Sequence, residues 1–303
     1  MRGHPHFKAY VALAAVCVFW GTTYLGIRIA LESFPPVAMV SARFTLSGAI
    51  MLAGALAARA RLPVRRELRQ TALNGVLILG VGNCCLTVAE LWIPSGLAAL
   101  IITTSPLWMV GIDALLPGGD RLRRPALAGI LVGCLGAVLL VLPQAGAGGA
   151  SGSLVWAVFL LLQCASLSWS YGSIRQRRIQ ASAHPVVNGA VQQLAAGLAF
   201  MPLALLQRGA SVHWNLKGVL AVLYLVVFGS IVGYSAYVYA LNKLPVALVS
   251  IYVYINPIVA VFLGWLFYRE PFGAVEAAGM GVIFLGVALV KRYSPAPTAV
   301  EVD

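Results

Sequence analysis

Asn83, Thr87 and Glu90 recur at i, i+4 and i+7 inside one apolar run, which places them on one face of a helix. Glu90 has the sharpest chemistry of the three, because a carboxylate there could hold a cationic group or take up a proton. Counted from Thr71 at ~1.5 Å per residue, it lies toward one mouth of its helix, so a solvated interfacial carboxylate is the competing reading. Arg43 is a second charge within an apolar run. A buried guanidinium needs partners, and Glu32 or backbone carbonyls are nearest in sequence. An internal brace is favoured over ligand contact, and its rough counterpart Gln192 is uncharged. Aromatic residues follow helical spacing at Trp20, Tyr24, Trp169, Tyr234, Tyr237 and Tyr252, with Trp108 one turn after Ser105. On a cavity wall they would suit apolar, aromatic or cationic ligands; as interfacial belts they would not touch a ligand. Ser105 precedes Pro106, and Asn256 precedes Pro257, each near the middle of an apolar run. Proline frees a carbonyl that must face protein or a water-filled cavity, so each site reads as a pathway hinge or as a packing kink.

Other chemistry is poorly provided for. The four histidines (His4, His6, His184 and His213) fall in the N-terminus and between apolar runs. The five cysteines lie in apolar runs without CxxC spacing and read as packing residues. No metal, cofactor, carboxylate pair or Ser/His/Asp arrangement is indicated. An integral-membrane enzyme acting on a lipid-linked or small-molecule substrate is nonetheless the alternative function class. A sensor would need an output domain that the chain lacks.

These residues belong to a chain that water cannot solvate as a globule. Of 303 residues, 60% are hydrophobic and 10% charged, with mean hydropathy +0.89; a soluble domain carries roughly 25% charged residues. The bilayer is the natural solvent, and about 20 apolar residues make a span. Spans are predicted at 9–30, 36–58, 71–91, 94–116, 125–142, 153–174, 186–206, 218–241, 245–267 and 272–290. The apolar run from Ala9 to Ile27 is too long for a cleaved leader and is read as a retained first helix. The net charge of +12 lies in short gaps between apolar runs, so it writes membrane topology and meets anionic headgroups rather than nucleic acid. With the N-terminus cytoplasmic, 16 of the 21 Lys and Arg fall on the inner side and three (Arg208, Lys217 and Arg269) on the outer. Both termini are therefore expected inside.

The chain also repeats itself. An offset of 149 relates Trp20 to Trp169, Arg28 to Arg177 and Pro36 to Pro185. An offset of 151 relates Gly82 to Gly233, Pro94 to Pro245 and Pro106 to Pro257, and one of 150 relates Asp120 to Glu270, Gly129 to Gly279 and Gly136 to Gly286. The loop-like segment from Pro143 to Ser153 separates the halves, 1–147 and 148–303. Five helices per repeat force the second copy to insert upside down, the arrangement of alternating-access transporters with a site near the midplane.

Phe19-Trp20-Gly21-Thr22-Thr23-Tyr24-Leu25-Gly26-Ile27-Arg28, Pro35-Pro36, Ser41-Ala42-Arg43-Phe44, Val81-Gly82-Asn83, Thr87-Val88-Ala89-Glu90 and Pro94-Ser95-Gly96-Leu97-Ala98-Ala99 continue into Pro245-Val246-Ala247-Leu248-Val249-Ser250, Asn256-Pro257 and Arg269-Glu270-Pro271. This pattern resembles the EamA-type members of the drug/metabolite transporter superfamily over about residues 8–291, and within it the YedA-type bacterial permeases. The resemblance implies an all-α integral-membrane fold of ten helices as two inverted five-helix repeats around a central cavity. It implies efflux or exchange of small metabolites, amino acids or toxic compounds across a bacterial inner membrane, and names no substrate. The partners expected are a small-molecule substrate and the lipid bilayer, and the short loops suit a monomer.

Overall fold

A computed structural model describes residues 7–117, 124–146, 152–178, 183–207, 212–244, 249 and 251–293. Among them no strand occurs. The order is α1 (Phe7–Leu31), α2 (Pro36–Ala57), α3 (Arg65–Ala89), α4 (Ser95–Leu115), α5 (Arg124–Gly146), α6 (Gly152–Arg177), α7 (Pro185–Leu206), α8 (216–243), α9 (Tyr252–Tyr268) and α10 (Ala274–Tyr293). Seven of these, α1 to α4 and α6 to α8, are long and apolar enough to cross a membrane, whereas α5, α9 and α10 contribute shorter apolar stretches. Their outer faces are apolar: Leu131 and Phe267 are each 64% exposed, and Trp265 is 56% exposed. A continuous apolar exterior of this kind is matched to hydrocarbon rather than water.

Local chemistry sets the helix boundaries. Pro36 and Pro185 each open a helix, where a missing N–H costs nothing. The Asn215 side chain caps α8 by accepting from the Gly218 N–H at 2.7 Å. Several boundaries differ from the sequence expectation. Helix α3 starts at Arg65 rather than 71, because the basic residues Arg65, Arg66 and Arg69 form a first turn outside the apolar run. Helix α5 runs on through Pro143 to Gly146 and α6 begins at Gly152, so the expected loop at 143–153 is shorter, and 147–151 lie outside the described residues. Most of the start of the expected 245–267 span, including Pro245, also lies outside them, as do Asp120, Arg208 and both chain ends. The expected 94–116 helix is broken at Thr103–Thr104 into Ser95–Ile102 and Ser105–Leu115. Pro106 therefore sits in the first turn of a new helical piece instead of kinking a continuous one.

Packing is pairwise. Helix α2 lies along α7, and α5 along α10; α1 packs on α8 and α9, while α6 packs on α3 and α4. Both α3 and α8 carry a π-helical stretch, Val76–Val81 and Leu225–Val232, each followed at once by a glycine, Gly82 or Gly233. The extra residue per turn leaves backbone carbonyls misaligned, a device found mostly at functional positions. At one end of the molecule the His213 N–H donates to the Ser33 carbonyl, and Glu32 binds Lys217 at 2.8 Å. At the other the His184 N–H donates to the Arg61 carbonyl, the Ala183 N–H donates to buried Glu67 at 3.0 Å, and Arg178 pairs with Asp113 at 3.5 Å.

Candidate functional site

A cavity of about 160 Å³ lies at the centre, walled by α1 to α4 and α6 to α9. Among the described residues, helices α5 and α10 contribute none to its lining. Its aromatic wall begins with Trp20, near the middle of α1. The Trp20 ring lies edge-on to Trp169 at 6.4 Å and to Tyr252 at 5.1 Å, and tilted against Tyr237 at 5.1 Å. Its indole N–H donates to the Gly229 carbonyl at 3.1 Å in the π-helical stretch of α8. A Cβ on Gly233 would stand 2.6 Å from the Trp20 nitrogen, so glycine there makes room for the ring. Gly82 is the residue beside Trp169 in the other half. Both π-helical segments thus end on a glycine facing a cavity tryptophan.

Of the residues singled out from sequence, Trp20, Tyr24, Asn83, Ser105, Trp169, Tyr234, Tyr252, Asn256 and Pro257 line the cavity. Asn256, with its amide nitrogen donating to the Tyr252 and Cys17 carbonyls at 3.1 and 3.0 Å, ties α9 to α1. The Ser105 hydroxyl donates to the Ile102 carbonyl across the helix break, and its own carbonyl accepts from Ser170. Tyr237 stands behind Trp20 and Tyr252. Trp108 points away and donates to Gln163 at 2.8 Å. Thr87 is fully buried and does not line the cavity.

The two charges sit differently from their sequence expectation. Glu90 is 0% exposed and off the cavity, not solvated at an interface. Its backbone carbonyl accepts from Arg28, while neither carboxylate oxygen has a hydrogen-bond partner among the described residues. Tyr24, Arg28 and Glu270 are the charged and titratable groups within its electrostatic reach. Arg43 is 5% exposed and lines the cavity. Glu32, its nearest acid in sequence, is engaged by Lys217 and Tyr268 instead. Burial pushes the Glu32 carboxyl up, but the hydrogen bonds from Lys217 and Tyr268 outweigh this and hold it below its ordinary value.

Sequence reasoning missed five polar residues of the wall, Thr23, Thr103, Ser166, Gln193 and Ser230, and the last two hold its charge in place. Ser230 accepts from Arg43 Nε at 2.9 Å, and Gln193 donates to the Ser230 carbonyl at 3.3 Å and accepts from Ser47. Gln192, the residue matched to Arg43 by spacing, bonds Gln176 away from the cavity. A glutamine pair inside an apolar run was the available signal, but only helix rotation decides which of the two faces inward.

The profile of the EamA-like transporter family matches the chain twice, at residues 7–142 and 155–292. The chain belongs to the EamA-like transporter family. Among other EamA-like proteins, YedA, an inner membrane transporter of Escherichia coli (strain K12), is 37% identical over 292 residues, covering 96% of this chain and 92% of YedA. A Salmonella typhimurium protein named a probable amino-acid metabolite efflux pump is 27% identical over 290 residues, covering 92% of each chain. A solved crystal structure at 22% identity superposes with a TM-score of 0.65 over 94% of this chain and 97% of that one, and shows the same fold. The EamA match and these names are those of transporters, so the enzyme alternative is set aside. This EamA-like chain is a multi-pass membrane protein of transport.

Proposed function

We propose that the chain is a secondary transporter for small metabolites, amino acids or drug-like compounds, working by alternating access through the central cavity. In this reading ten helices form two inverted repeats, 1–147 and 148–303, in the cytoplasmic membrane with both termini cytoplasmic. The observation that carries it is the cavity's construction: four helices from each half wall it, and α5 and α10 stand aside. The double family match supports the repeat, as do the paired packing of α2 with α7 and α5 with α10 and the matched π-helical stretches. The concentration of Lys and Arg at one end supports the orientation. At about 160 Å³ the cavity holds one small ring or short chain; pockets for drug-sized ligands run from about 300 Å³, so a larger substrate requires the walls to part.

Transport is tested by a solute screen in proteoliposomes, run with and without a pH gradient; a protein that chemically alters its solutes without moving them would falsify the reading. Access is tested separately. In a background lacking the five native cysteines, Asn83→Cys, Ser105→Cys and Asn256→Cys are expected to change their labelling rate from each side by severalfold when substrate is added. Rates indifferent to substrate at all three positions, from both sides, end the alternating-access model.

Glu90 has a distinct place in this scheme. A buried carboxylate with no hydrogen bond is stable only if it is neutral or compensated by a nearby charge, here Arg28. Glu90→Gln keeps the volume and removes the proton. It is expected to leave the protein folded and substrate affinity within about twofold, since the side chain is off the cavity, while flattening the pH dependence of uptake. An unchanged pH profile makes Glu90 a purely structural residue.

A further inference from the structure

Among the described residues, Arg43 is the charged residue in a cavity wall whose other polar groups are hydroxyls, amides and the indoles of Trp20 and Trp169. Its side chain is held, among the described residues, from one side only. Nε donates to Ser230 at 2.9 Å, and the guanidinium carbon lies 4.8 Å from the Phe44 ring centre, contacts that orient the group without neutralising it. Among the described residues no carboxylate lies within ion-pair distance of it. Gly229 keeps the space beside it open, since a Cβ there would stand 3.0 Å from Arg43 Nη2. The same residue's carbonyl receives the Trp20 indole N–H. The free edge of the guanidinium and the Trp20/Trp169 pair are therefore neighbours across one glycine. A buried, unpaired guanidinium is costly in a membrane protein and such groups mark substrate pathways. The two amino groups of a planar fork match one carboxylate.

We infer that the cavity binds its substrate by a carboxylate placed on Arg43, with the apolar or aromatic remainder against Trp20 and Trp169. The substrate class is small aromatic or apolar carboxylic acids, amino acids among them. Cationic substrates, which the aromatic wall alone would suit, are opposed by the fixed positive charge. This rests on the transport reading above, yet its test does not require transport.

The probes are three molecules of one shape: 3-phenylpropionate, 3-phenylpropionamide and 3-phenylpropylamine. Binding to the purified full-length chain in detergent is measured by isothermal titration, and counterflow is measured in proteoliposomes. The acid is expected to bind at least tenfold more tightly than the amide, with the amine weakest. Arg43→Gln brings the acid down to the amide's affinity and leaves the amide where it was. Arg43→Lys keeps part of the preference, because a point charge replaces the fork, and Ser230→Ala reduces it severalfold by releasing Nε. If Arg43→Gln loses amide binding as well, the variant has not folded, and Arg43→Lys and Ser230→Ala decide. Equal binding of acid and amide, tighter binding of the amine, absent binding of the acid, or a preference indifferent to Arg43→Lys and Ser230→Ala overturns the inference. Arg43-dependent acid binding without solute movement leaves the carboxylate site standing and removes the transport reading. Movement of neutral or cationic solutes independent of Arg43 does the reverse.

Discussion

Gly197→Val is expected to cost the fold about 3 kcal/mol or more, enough to deplete the purified, monodisperse protein. Helices α2 and α7 touch backbone to backbone at this point. A Cβ on Gly197 would lie 2.4 Å from the Thr45 backbone nitrogen, 2.3 Å from its hydroxyl and 2.9 Å from the Ser41 carbonyl. The Ser41 hydroxyl also donates to the Gly197 carbonyl at 2.8 Å, which pins the crossing. Helix association in lipid lacks a hydrophobic drive and depends on such close approach, so a valine must push apart the two helices that join the halves. A backbone nitrogen cannot swing aside as a side chain does. Gly54, also on α2, supplies the control, because a Cβ there meets nothing within 4 Å. Gly54→Ala is expected to be neutral or to stabilise by roughly 0.5–1 kcal/mol through helix propensity. Thermal unfolding in detergent, read with size-exclusion profiles, checks both. Equal stability of the two variants would show that the α2–α7 crossing yields freely.

Glu270→Ala is the second large expected effect, about 3 kcal/mol of destabilisation. Glu270 follows α9, and its carboxylate reaches the opening turn of α4. One oxygen accepts from the Ser95 N–H at 2.8 Å and the Ser95 hydroxyl at 2.9 Å; the other accepts from the Gly96 N–H at 2.9 Å. These N–H groups have no partner within their own helix, and the carboxylate also opposes the positive end of the helix dipole. Arg269, at φ 52°, turns the chain so that the side chain points there, and bare Gly264 lets it pass. Hydrogen bonds to a charged group contribute about 1.5–3 kcal/mol apiece and are not additive when they share one carboxylate. Glu270→Gln, which keeps one acceptor, is expected to lose roughly half as much. Chemical unfolding of both variants alongside Ser95→Ala measures this. A double variant, Glu270→Ala with Ser95→Ala, that costs the sum of the singles would show that the two residues do not act as one tie.

The apolar helices, the repeat and the aromatic wall were legible in the sequence for one reason: hydrocarbon demands long apolar runs, and a helix presents its residues at a fixed period. Among the described residues, seven of the ten expected spans are long and apolar enough to cross a membrane. The glycine offsets at Gly129/Gly279 and Gly136/Gly286 were legible too. In the fold a Cβ on Gly129 would stand 2.9 Å from the Gly286 carbonyl, and one on Gly136 would stand 3.0 Å from the Gly279 carbonyl, where α5 meets α10. The α2–α7 crossing, where a Cβ on Gly48 would stand 2.6 Å from the Leu194 backbone nitrogen, was not legible, because an isolated glycine in a glycine-rich chain carries no mark of what it faces. Trp108 shows the opposite limit. It follows Ser105 at helical spacing, yet the break at Thr103–Thr104 turns its ring toward Gln163.

The sequence by itself determined that this chain lives in a bilayer and that it is built twice, because both follow from composition and periodic order along one chain; its place among transporters rests on the motifs it shares with the EamA-like family. Tertiary structure alone decided where two of its buried charges, Glu90 and Arg43, sit relative to the cavity. Glu90 and Arg43 look alike as ions in apolar runs. Rotation and packing of α3 put Glu90 outside the cavity against Arg28, while the crossing of α2 with α8 put Arg43 inside it beside Ser230. Which way a helix faces is settled by its neighbours, and those neighbours are some 60 and 190 residues away in sequence.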